Sequence, residues 1–212
     1  QTSGSTYEFI SNLNLFKGGF PMSKGLKITL IIVGVLLLMG FIAAKWVING
    51  YNNAISMDEN IKAKWAQVEN QLKRRYDLIP NFIETVKGYA AHEKELFEHI
   101  ADARTKYFQA NTVKDKIQAS NQLEGVLSRL LLLQEQYPQL KANEPFLKLQ
   151  DSLEGTENRI SVERKRYNEA VQILNTYRRT VFGRFFAALA GVSGAEYYEI
   201  PEAEKEAPKV KF

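Results

Sequence analysis

The longest run of apolar positions lies near the N-terminus, where residues 28–44 carry no charged side chain. Lys45 can extend its amine toward the water interface, and residues 46–48 prolong the apolar stretch to about twenty residues. A helix of that length covers about 30 Å, the thickness of the hydrocarbon core of a bilayer. The pattern therefore predicts a transmembrane helix over residues 25–50, with residues 28–48 in lipid.

A cleaved secretory signal is the alternative interpretation of this stretch. Lys24 and Lys27 would form its basic end, and residues 42–44 would form a loose small-residue cleavage site. The apolar run is longer than a typical signal core, however, and Trp46 lies where an interfacial anchor belongs. A retained anchor is therefore favoured.

The segments that flank the apolar stretch leave its orientation open. Lys24 and Lys27 precede it, whereas Lys45 and the more distant Lys62 and Lys64 follow it. This balance does not choose the side of the membrane on which the rest of the chain lies. Residues 1–24 are expected to be flexible, and residues 1–21 are either a start-site artefact or a short tail, because Met22 resembles a native start.

Beyond the span, apolar residues recur three and four positions apart, which is the heptad spacing of helices that pack side by side. Residues 51–53 predict a polar break, and Ser56 with Glu59 forms a capping-box pattern that begins a new helix. Pro80 predicts a kink or a local break near residues 77–79. The apolar positions are Ile61, Trp65, Val68, Leu72, Tyr76, Ile79, Ile83 and Val86, continued by Leu96, Ile100, Ala103 and Tyr107.

Two further apolar stripes follow. Thr112 and Asp115 predict the capped start of one helix, and Pro138 with residues 143–145 marks the turn into the last one. Four consecutive leucines, residues 130–133, predict that the first of these two helices is the most deeply buried. The stripes are Ile117, Leu123, Leu127, Leu130, Leu133, Tyr137 and Leu140, and then Phe146, Leu149, Leu153, Ile160, Tyr167, Val171, Leu174 and Val181.

These patterns define the predicted fold class. Each apolar stripe must be covered by another, and up-and-down packing with short connections achieves this economically. The sequence predicts an all-α protein, with an N-terminal transmembrane helix followed by an elongated antiparallel bundle of long, coiled-coil-like helices over residues 51–182. Residues 183–200 are apolar and broken by glycine, so they predict a short helix docked on the bundle or an exposed adhesive surface. Residues 201–212 predict a disordered tail.

Composition narrows the function classes. The 212 residues are 25% charged and carry a net charge of +4, which argues against wholesale disorder and against a nucleic-acid partner. The absence of cysteine excludes disulfides, thiolate zinc sites and cysteine nucleophiles.

Candidate chemistry is sparse. No Gly-x-Ser-x-Gly elbow, phosphate loop or dinucleotide fingerprint is present. His92, Glu95 and His99 share one face if the segment is helical, which allows a mononuclear metal site with a further carboxylate. A solvated charged face is favoured over this site. We therefore predict no catalytic, cofactor-binding or metal-ligating residue, and no cofactor.

Two other groups of polar residues are candidates for a structural or a binding role. Glu157 and Asn158 are expected near the packed seam, where they would fix the register of the helices. Residues 73–75, Lys-Arg-Arg, could contact an acidic partner surface. An ordinary charged helix face is favoured for them, with Glu69 and Lys73 one turn apart.

Several segments together resemble the LemA family of bacterial membrane proteins. Residues 71–81, QLKRRYDLIPN, and residues 84–89, ETVKGY, match its signature stretch. Tyr51-Asn52, Trp65 and residues 137–143, 156–160 and 166–171 match in the same order. The resemblance covers roughly residues 51–175 and implies an N-terminal membrane anchor and a long antiparallel helical bundle. The family's Phe-Pro pair after the last helix is replaced here by residues 177–183, YRRTVFG.

These observations predict a single-pass protein of the bacterial cell membrane, inner or plasma, that is not an enzyme. We expect a membrane-anchored scaffold or interaction protein that acts through helix-bundle contacts or self-association. Its partners would be the bilayer, through residues 28–48, and a protein partner or a second copy, with no nucleic acid or small-molecule substrate. A regulatory subunit of a membrane protease or transporter is the main alternative, and a metal-dependent enzyme is a weaker one.

Overall fold

The computed structural model describes residues 23–199, and these form helices and irregular connections with no strand. This confirms the predicted all-α class. The chain divides into two compact units, Gln1–Asn49 and Gly50–Phe212. The predicted tail at residues 201–212 and the predicted start-site segment at residues 1–21 lie outside the described residues. The helices are α1 Lys24–Lys87, α2 Lys94–Gln109, α3 Val113–Gln136, the 3-10 helix Pro138–Ala142, α4 Glu144–Arg179 and α5 Val181–Leu189.

The described part of the first unit is the beginning of α1. Its apolar side chains are exposed apart from the half-buried Val47, with Leu37 at 70% and Phe41 at 69% of their full accessibility. Within the described residues, α1 is the one helix long and apolar enough to cross a membrane. The pattern of residues 28–48 therefore folds as a helix whose apolar side chains are mostly exposed.

The predicted start of a new helix near Ser56 and the predicted break near Pro80 are wrong, while the alternative of a kink at Pro80 stays a prediction. Residues 51–53 are helical, so no new helix begins near Ser56, and the helix also continues through Pro80 without a break. The reason is that isolated polar residues lower helix propensity only slightly, while a single proline removes one backbone hydrogen bond. Packing of Ile79 and Phe82, which are buried on either side of Pro80, offsets that loss.

Aromatic contacts give the helix directions in the second unit. Trp65 lies edge-on to Tyr167 with ring centroids 5.4 Å apart, and Phe82 lies 5.1 Å from Phe146. Because contact positions rise along α1 while they fall along α4, these two helices are antiparallel. Helix α2 packs on α1 through Tyr107, whose ring stacks 4.3 Å from that of Tyr76.

Side-chain caps fix where the helices of the bundle begin. Thr112 Oγ1 accepts a hydrogen bond from the backbone N–H of Asp115 at 3.1 Å, which confirms the predicted cap of α3. Asn143 Oδ1 accepts from the N–H of Phe146 at 2.8 Å at the start of α4. These bonds satisfy N–H groups that have no partner within their own helix. The turn predicted around residues 138–145 thus contains the 3-10 helix and the capped start of α4.

Burial follows the predicted stripes with two corrections. Leu132 is 56% exposed, so the four-leucine run buries only Leu130 and Leu133 fully. Four consecutive residues point in all directions around a helix. A helix that packs on its neighbours with one face cannot bury all four of them. Val181 was predicted to continue the α4 stripe, but α4 ends at Arg179 and Val181 is 81% exposed at the start of α5.

Candidate functional site

A network of four charged side chains lies inside the bundle, and we call it the charged cluster. Arg75 of α1 forms an ion pair with Glu157 of α4, with Nη1 2.8 Å from Oε2. Arg164 of α4 contacts Glu157 Oε1 through Nη2 at 2.7 Å and Glu124 Oε2 of α3 through Nη1 at 3.3 Å. The side chains of the two arginines are only 8% and 9% exposed. Three helices are thus joined by alternating charges that sum to zero.

The electrostatics of the charged cluster favour its ionised form. Burial alone lowers the pKa of the Arg164 guanidinium, but the charges of Glu124 and Glu157 more than offset this and raise it above its ordinary value. Buried ion pairs contribute little net stability relative to well-packed apolar residues, although removal of one partner is costly. Loss of one member of the cluster is therefore expected to destabilise the bundle more than replacement of all four by well-packed apolar residues.

Tyr198, which follows the last helix, packs against the charged cluster through Arg164. Its side chain is 3% exposed, and its hydroxyl is hydrogen-bonded to Ser120 Oγ of α3. The Arg164 guanidinium lies over its ring, with Cζ 5.2 Å from the centroid, and the Trp65 ring of α1 is 6.3 Å away. Burial raises the pKa of Tyr198, so its phenol is neutral at physiological pH. One residue near the end of the described chain therefore contacts three helices.

Residues 192–199, which we call the C-terminal strap, have no regular secondary structure and are held by asparagines of α4. Asn168 accepts from the N–H of Tyr198 at 2.8 Å and donates to its carbonyl at 3.0 Å. Asn175 binds both backbone groups of Ala195 in the same way, at 3.2 and 2.9 Å. From Asn168 to Asn175 the helix rises by seven residues, or about 10.5 Å. The three steps from Ala195 to Tyr198 span about 10 Å in an extended chain, so the two distances match. The strap therefore runs extended and antiparallel to α4.

Two further hydrogen bonds fix the backbone of the C-terminal strap. The hydroxyl of Tyr167 donates to the carbonyl of Glu196 at 2.9 Å, and the amide of Asn121 on α3 donates to the carbonyl of Glu199 at 3.0 Å. The strap is thus held between α3 and α4 mainly through its main chain, and Val192 and Tyr198 are its buried side chains.

A second structured region surrounds Gly50, the first residue of the second unit. The hydroxyl of Tyr177 donates to the Gly50 carbonyl at 3.2 Å, and the Phe186 ring occupies the space that a side chain at position 50 would fill. Thr180 caps the start of α5 by accepting from the N–H of Gly183 at 3.1 Å. Tyr177 at the end of α4 and Phe186 of α5 therefore contact α1 at Gly50, where a larger residue would meet the Phe186 ring.

The candidate metal ligands do not come together as the helical pattern suggested. His92 lies in the turn before α2, which begins only at Lys94, so His92 does not share a helix face with Glu95 and His99. His99 Nε2 is 4.0 Å from Glu95 Oε1, and both side chains are at least half exposed. Among residues 23–199, no group of three or more His, Asp or Glu side chains could hold a metal ion.

Of the two polar residues expected near the packed seam, one lies there and the other does not. Glu157 lies in the charged cluster, as expected, but Asn158 is exposed on the next helical position, so its expected place is wrong. In the Lys-Arg-Arg run, Arg75 is buried whereas Lys73 and Arg74 are exposed. Glu69, expected to face Lys73, instead forms an ion pair with Lys116 of α3.

Sequence reasoning missed Arg164, Glu124 and Tyr198. A signal for Arg164 was present, because the α4 stripe leaves a gap of seven between Ile160 and Tyr167 that position 164 fills at helical spacing. Tyr198 gave no such signal, since it follows the last helix and belongs to no periodic pattern. Its role depends on tertiary contacts alone.

Comparisons with known proteins agree on one family. The LemA family model matches residues 64–212. Magnetosome proteins MamQ 1 and MamQ 2 of Paramagnetospirillum magneticum are each 25% identical over 204 residues, which cover 84% of this chain and 74% of theirs. Protein LemA of Metamycoplasma hominis is 22% identical over 187 residues, which cover 87% of this chain and 84% of its own.

The family match includes all four members of the charged cluster, the two asparagines that hold the C-terminal strap, and the strap itself. The signature stretch that the sequence analysis singled out, residues 71–81, contributes Arg75 to that cluster. With a family model matched over most of its length and a LemA protein among its relatives, this chain belongs to the LemA family.

Proposed function

We propose that this protein is a single-pass, membrane-anchored scaffold of the cell (inner or plasma) membrane, whose helical bundle acts by contact with a partner protein or a second copy rather than by catalysis. The observation that carries the proposal is the exposed apolar surface of residues 28–48. Leu37 and Phe41 are examples, with 70% and 69% of their surface open.

Lipid is the environment that suits this surface. Burial of apolar surface is favourable by about 25 cal/mol per Å², so exposure of the seventeen apolar side chains of residues 28–48 to water would be strongly unfavourable. Lys24 and Lys27 precede the stretch and Lys45 lies near its end, where long basic side chains extend to headgroups. Length, exposure and flanking charge therefore favour a bilayer span over a buried core helix.

The interior of the bundle supports a scaffold. Its charged cluster is internally paired across α1, α3 and α4, and the C-terminal strap closes it. Such an arrangement holds helix faces in one register and so presents an outer surface of fixed shape. A fixed outer surface is what contact with a partner requires.

Photo-cross-linking in intact membranes tests the proposal. The full chain would carry benzoylphenylalanine at Ile173, which is 55% exposed on α4, and the matched control would carry it at Val171, which is fully buried on the same helix. We expect cross-links from position 173 to one recurrent protein or to a second copy, and none between molecules from position 171. Carbonate extraction of the same membranes should leave the chain in the pellet.

Different outcomes separate the alternatives. Recurrent cross-links to a membrane protease or transporter, with altered activity of that partner, would support the regulatory-subunit alternative. Release of the intact chain by carbonate would overturn the anchor. Only intramolecular cross-links from several exposed positions at native abundance would overturn the scaffold.

A further inference from the structure

Helix α5 has apolar residues on two opposite faces. Its inner face buries Gly183, Phe186 and Ala187 in the second unit. Its outer face carries Val181, Phe185 and Leu189, four residues apart and therefore on one stripe, which are 81%, 56% and 53% exposed. Isolated exposed apolar residues are ordinary, but a continuous stripe on a nine-residue helix is a surface that prefers an apolar neighbour.

The position of this stripe is fixed by the contact of α5 with Gly50. The Phe186 ring lies directly against the Gly50 backbone, and the hydroxyl of Tyr177 donates to the Gly50 carbonyl at 3.2 Å. Gly50 follows Ile48, the last residue of the apolar stretch, by two positions. By covalent geometry alone, two residues span at most about 7 Å. Helix α5 therefore contacts Gly50, which lies two residues beyond the end of the apolar stretch.

Basic residues lie close to this point in the sequence. Lys45 precedes Gly50 by five positions, the first acidic residue after Gly50 is Asp58, and residues 175–193 contain Arg178, Arg179 and Arg184 but no acidic residue. Arg184 is exposed on the outer side of α5, beside the apolar stripe. Guanidinium groups pair well with phosphate, and basic side chains near a bilayer are attracted to anionic lipid.

We propose that α5 is an interfacial helix, whose outer stripe inserts at the boundary of headgroups and acyl chains of the bilayer that residues 28–48 cross. This rests on the proposed membrane anchor. A helix of nine residues is too short to span the hydrocarbon core, which needs about 20 residues. Amphipathic helices instead place their apolar face about 5–10 Å into the interface. The chain thereby contacts the bilayer through two segments, residues 28–48 and α5.

Spin-label accessibility tests this directly, because the sequence has no cysteine and single cysteines can be introduced for nitroxide labelling. The full chain would be reconstituted in vesicles of phosphatidylcholine and phosphatidylglycerol. Leu37→Cys reports on the anchor, Phe185→Cys and Leu189→Cys report on α5, and Gln139→Cys in the exposed 3-10 helix is the aqueous control. Collision with oxygen reports on lipid, and collision with a nickel chelate reports on water.

We expect labels at 185 and 189 to collide with oxygen several-fold more often than with the chelate. Their oxygen-to-chelate collision ratio should lie between the ratio at position 37 in the anchor and the ratio at the aqueous control position 139. Water-like ratios at 185 and 189, with lipid-like ratios at 37, would overturn the interfacial helix while the anchor stands. Low collision with both reagents would show that protein covers the stripe, and would equally overturn it. A water-like ratio at 37 would instead overturn the anchor. Circular dichroism of each variant checks that it is folded, and agreement of the two α5 positions excludes a local perturbation.

Discussion

The guanidinium of Arg164 lies between two kinds of partner, with two carboxylates at its nitrogens and the ring of Tyr198 at 5.2 Å from its Cζ. It therefore joins the charged cluster of the helices to the C-terminal strap. A cation over an aromatic ring adds about 0.5–1 kcal/mol at exposed sites, and more when desolvated. The Arg164 side chain is only 9% exposed, so this contact belongs to the stronger, desolvated class.

Arg164→Met is expected to destabilise the bundle by about 3 kcal/mol, because it leaves Glu124 and Glu157 partly buried without this positive partner. Chemical denaturation of the full chain in detergent, followed by circular dichroism, measures the change. Arg166→Met is the matched control, since Arg166 pairs with Glu163 while 56% exposed, and should cost less than about 1 kcal/mol. Equal effects of the two substitutions would contradict the assigned importance of the charged cluster.

Asn168→Ala is expected to release one end of the C-terminal strap, and Asn175→Ala the other. The N–H of Tyr198 donates to Asn168 and that of Ala195 donates to Asn175, so each variant should speed hydrogen exchange at its own amide. Mass spectrometry with residue-level fragmentation reads out both amides. Asn158→Ala, at an exposed position of the same helix, should change neither. Unchanged protection in all three variants would show that the asparagines do not hold the strap.

Tyr76→Phe is expected to leave stability unchanged or raise it, by up to about 1 kcal/mol. The Tyr76 side chain is fully buried, and its hydroxyl has no hydrogen-bond partner among the described residues. An unsatisfied buried hydroxyl costs free energy that phenylalanine does not incur, while the ring still stacks on Tyr107. Thermal unfolding compares this variant with Tyr198→Phe, which removes a bonded hydroxyl and should lower stability. A loss on Tyr76→Phe as large as that on Tyr198→Phe would refute the difference.

Stability is expected to fall as the pH rises above about 10, the ordinary pKa of tyrosine. Burial raises the pKa of Tyr76, Tyr107 and Tyr198 in the folded chain. The unfolded chain therefore loses its phenol protons first, so the stabilisation is present below pH 10 and is lost as the pH rises toward the folded pKa. Unfolding free energies at neutral and alkaline pH measure the loss. The loss should be smaller in Tyr76→Phe, and an identical loss would contradict this assignment.

Gly50→Ala is expected to displace Phe186, because the new methyl group would enter space that the ring occupies. The N–H of Ala190, which donates to the Phe186 carbonyl at 2.9 Å, should then exchange faster. Gly155→Ala on α4 is the matched control, since nothing lies within 4 Å of its new methyl. That control should stabilise the chain by about 0.5–1 kcal/mol through helix propensity. A stabilising Gly50→Ala with unchanged exchange would contradict the close seating of α5.

The sequence was informative wherever structure follows a period. Residues such as Trp65, Leu72 and Ile160 could be placed in the core because heptad spacing alone determines a common face. The Thr112 cap was predictable because it needs only Asp115 three residues away. Interruptions were less predictable, since helix propensity at residues 51–53 and at Pro80 competes with packing that no local window contains.

The contacts of the candidate site were mostly beyond prediction. The partner of Glu157 was not evident, because an ion pair with Arg75 joins positions 82 residues apart in the sequence (157 − 75). Tyr198 and the C-terminal strap follow the last helix, so no helical spacing predicts their position. It is determined by contacts with α3 and α4 that form only in the folded chain. The outer stripe of α5 was predicted only as a short apolar segment within residues 183–200, without its seat on Gly50.

Recognition of the C-terminal strap through its main chain has a consequence for how this part of the protein can vary. Asn168 and Asn175 bind the N–H and C=O groups of Tyr198 and Ala195, which nearly every amino acid supplies. Glu196 is held through its carbonyl, and Tyr197 is 42% exposed. Mutational drift at the exposed positions 196 and 197 should therefore be tolerated as long as Tyr198 and the small residue at 195 are kept, so this segment can acquire new surface chemistry without losing its place.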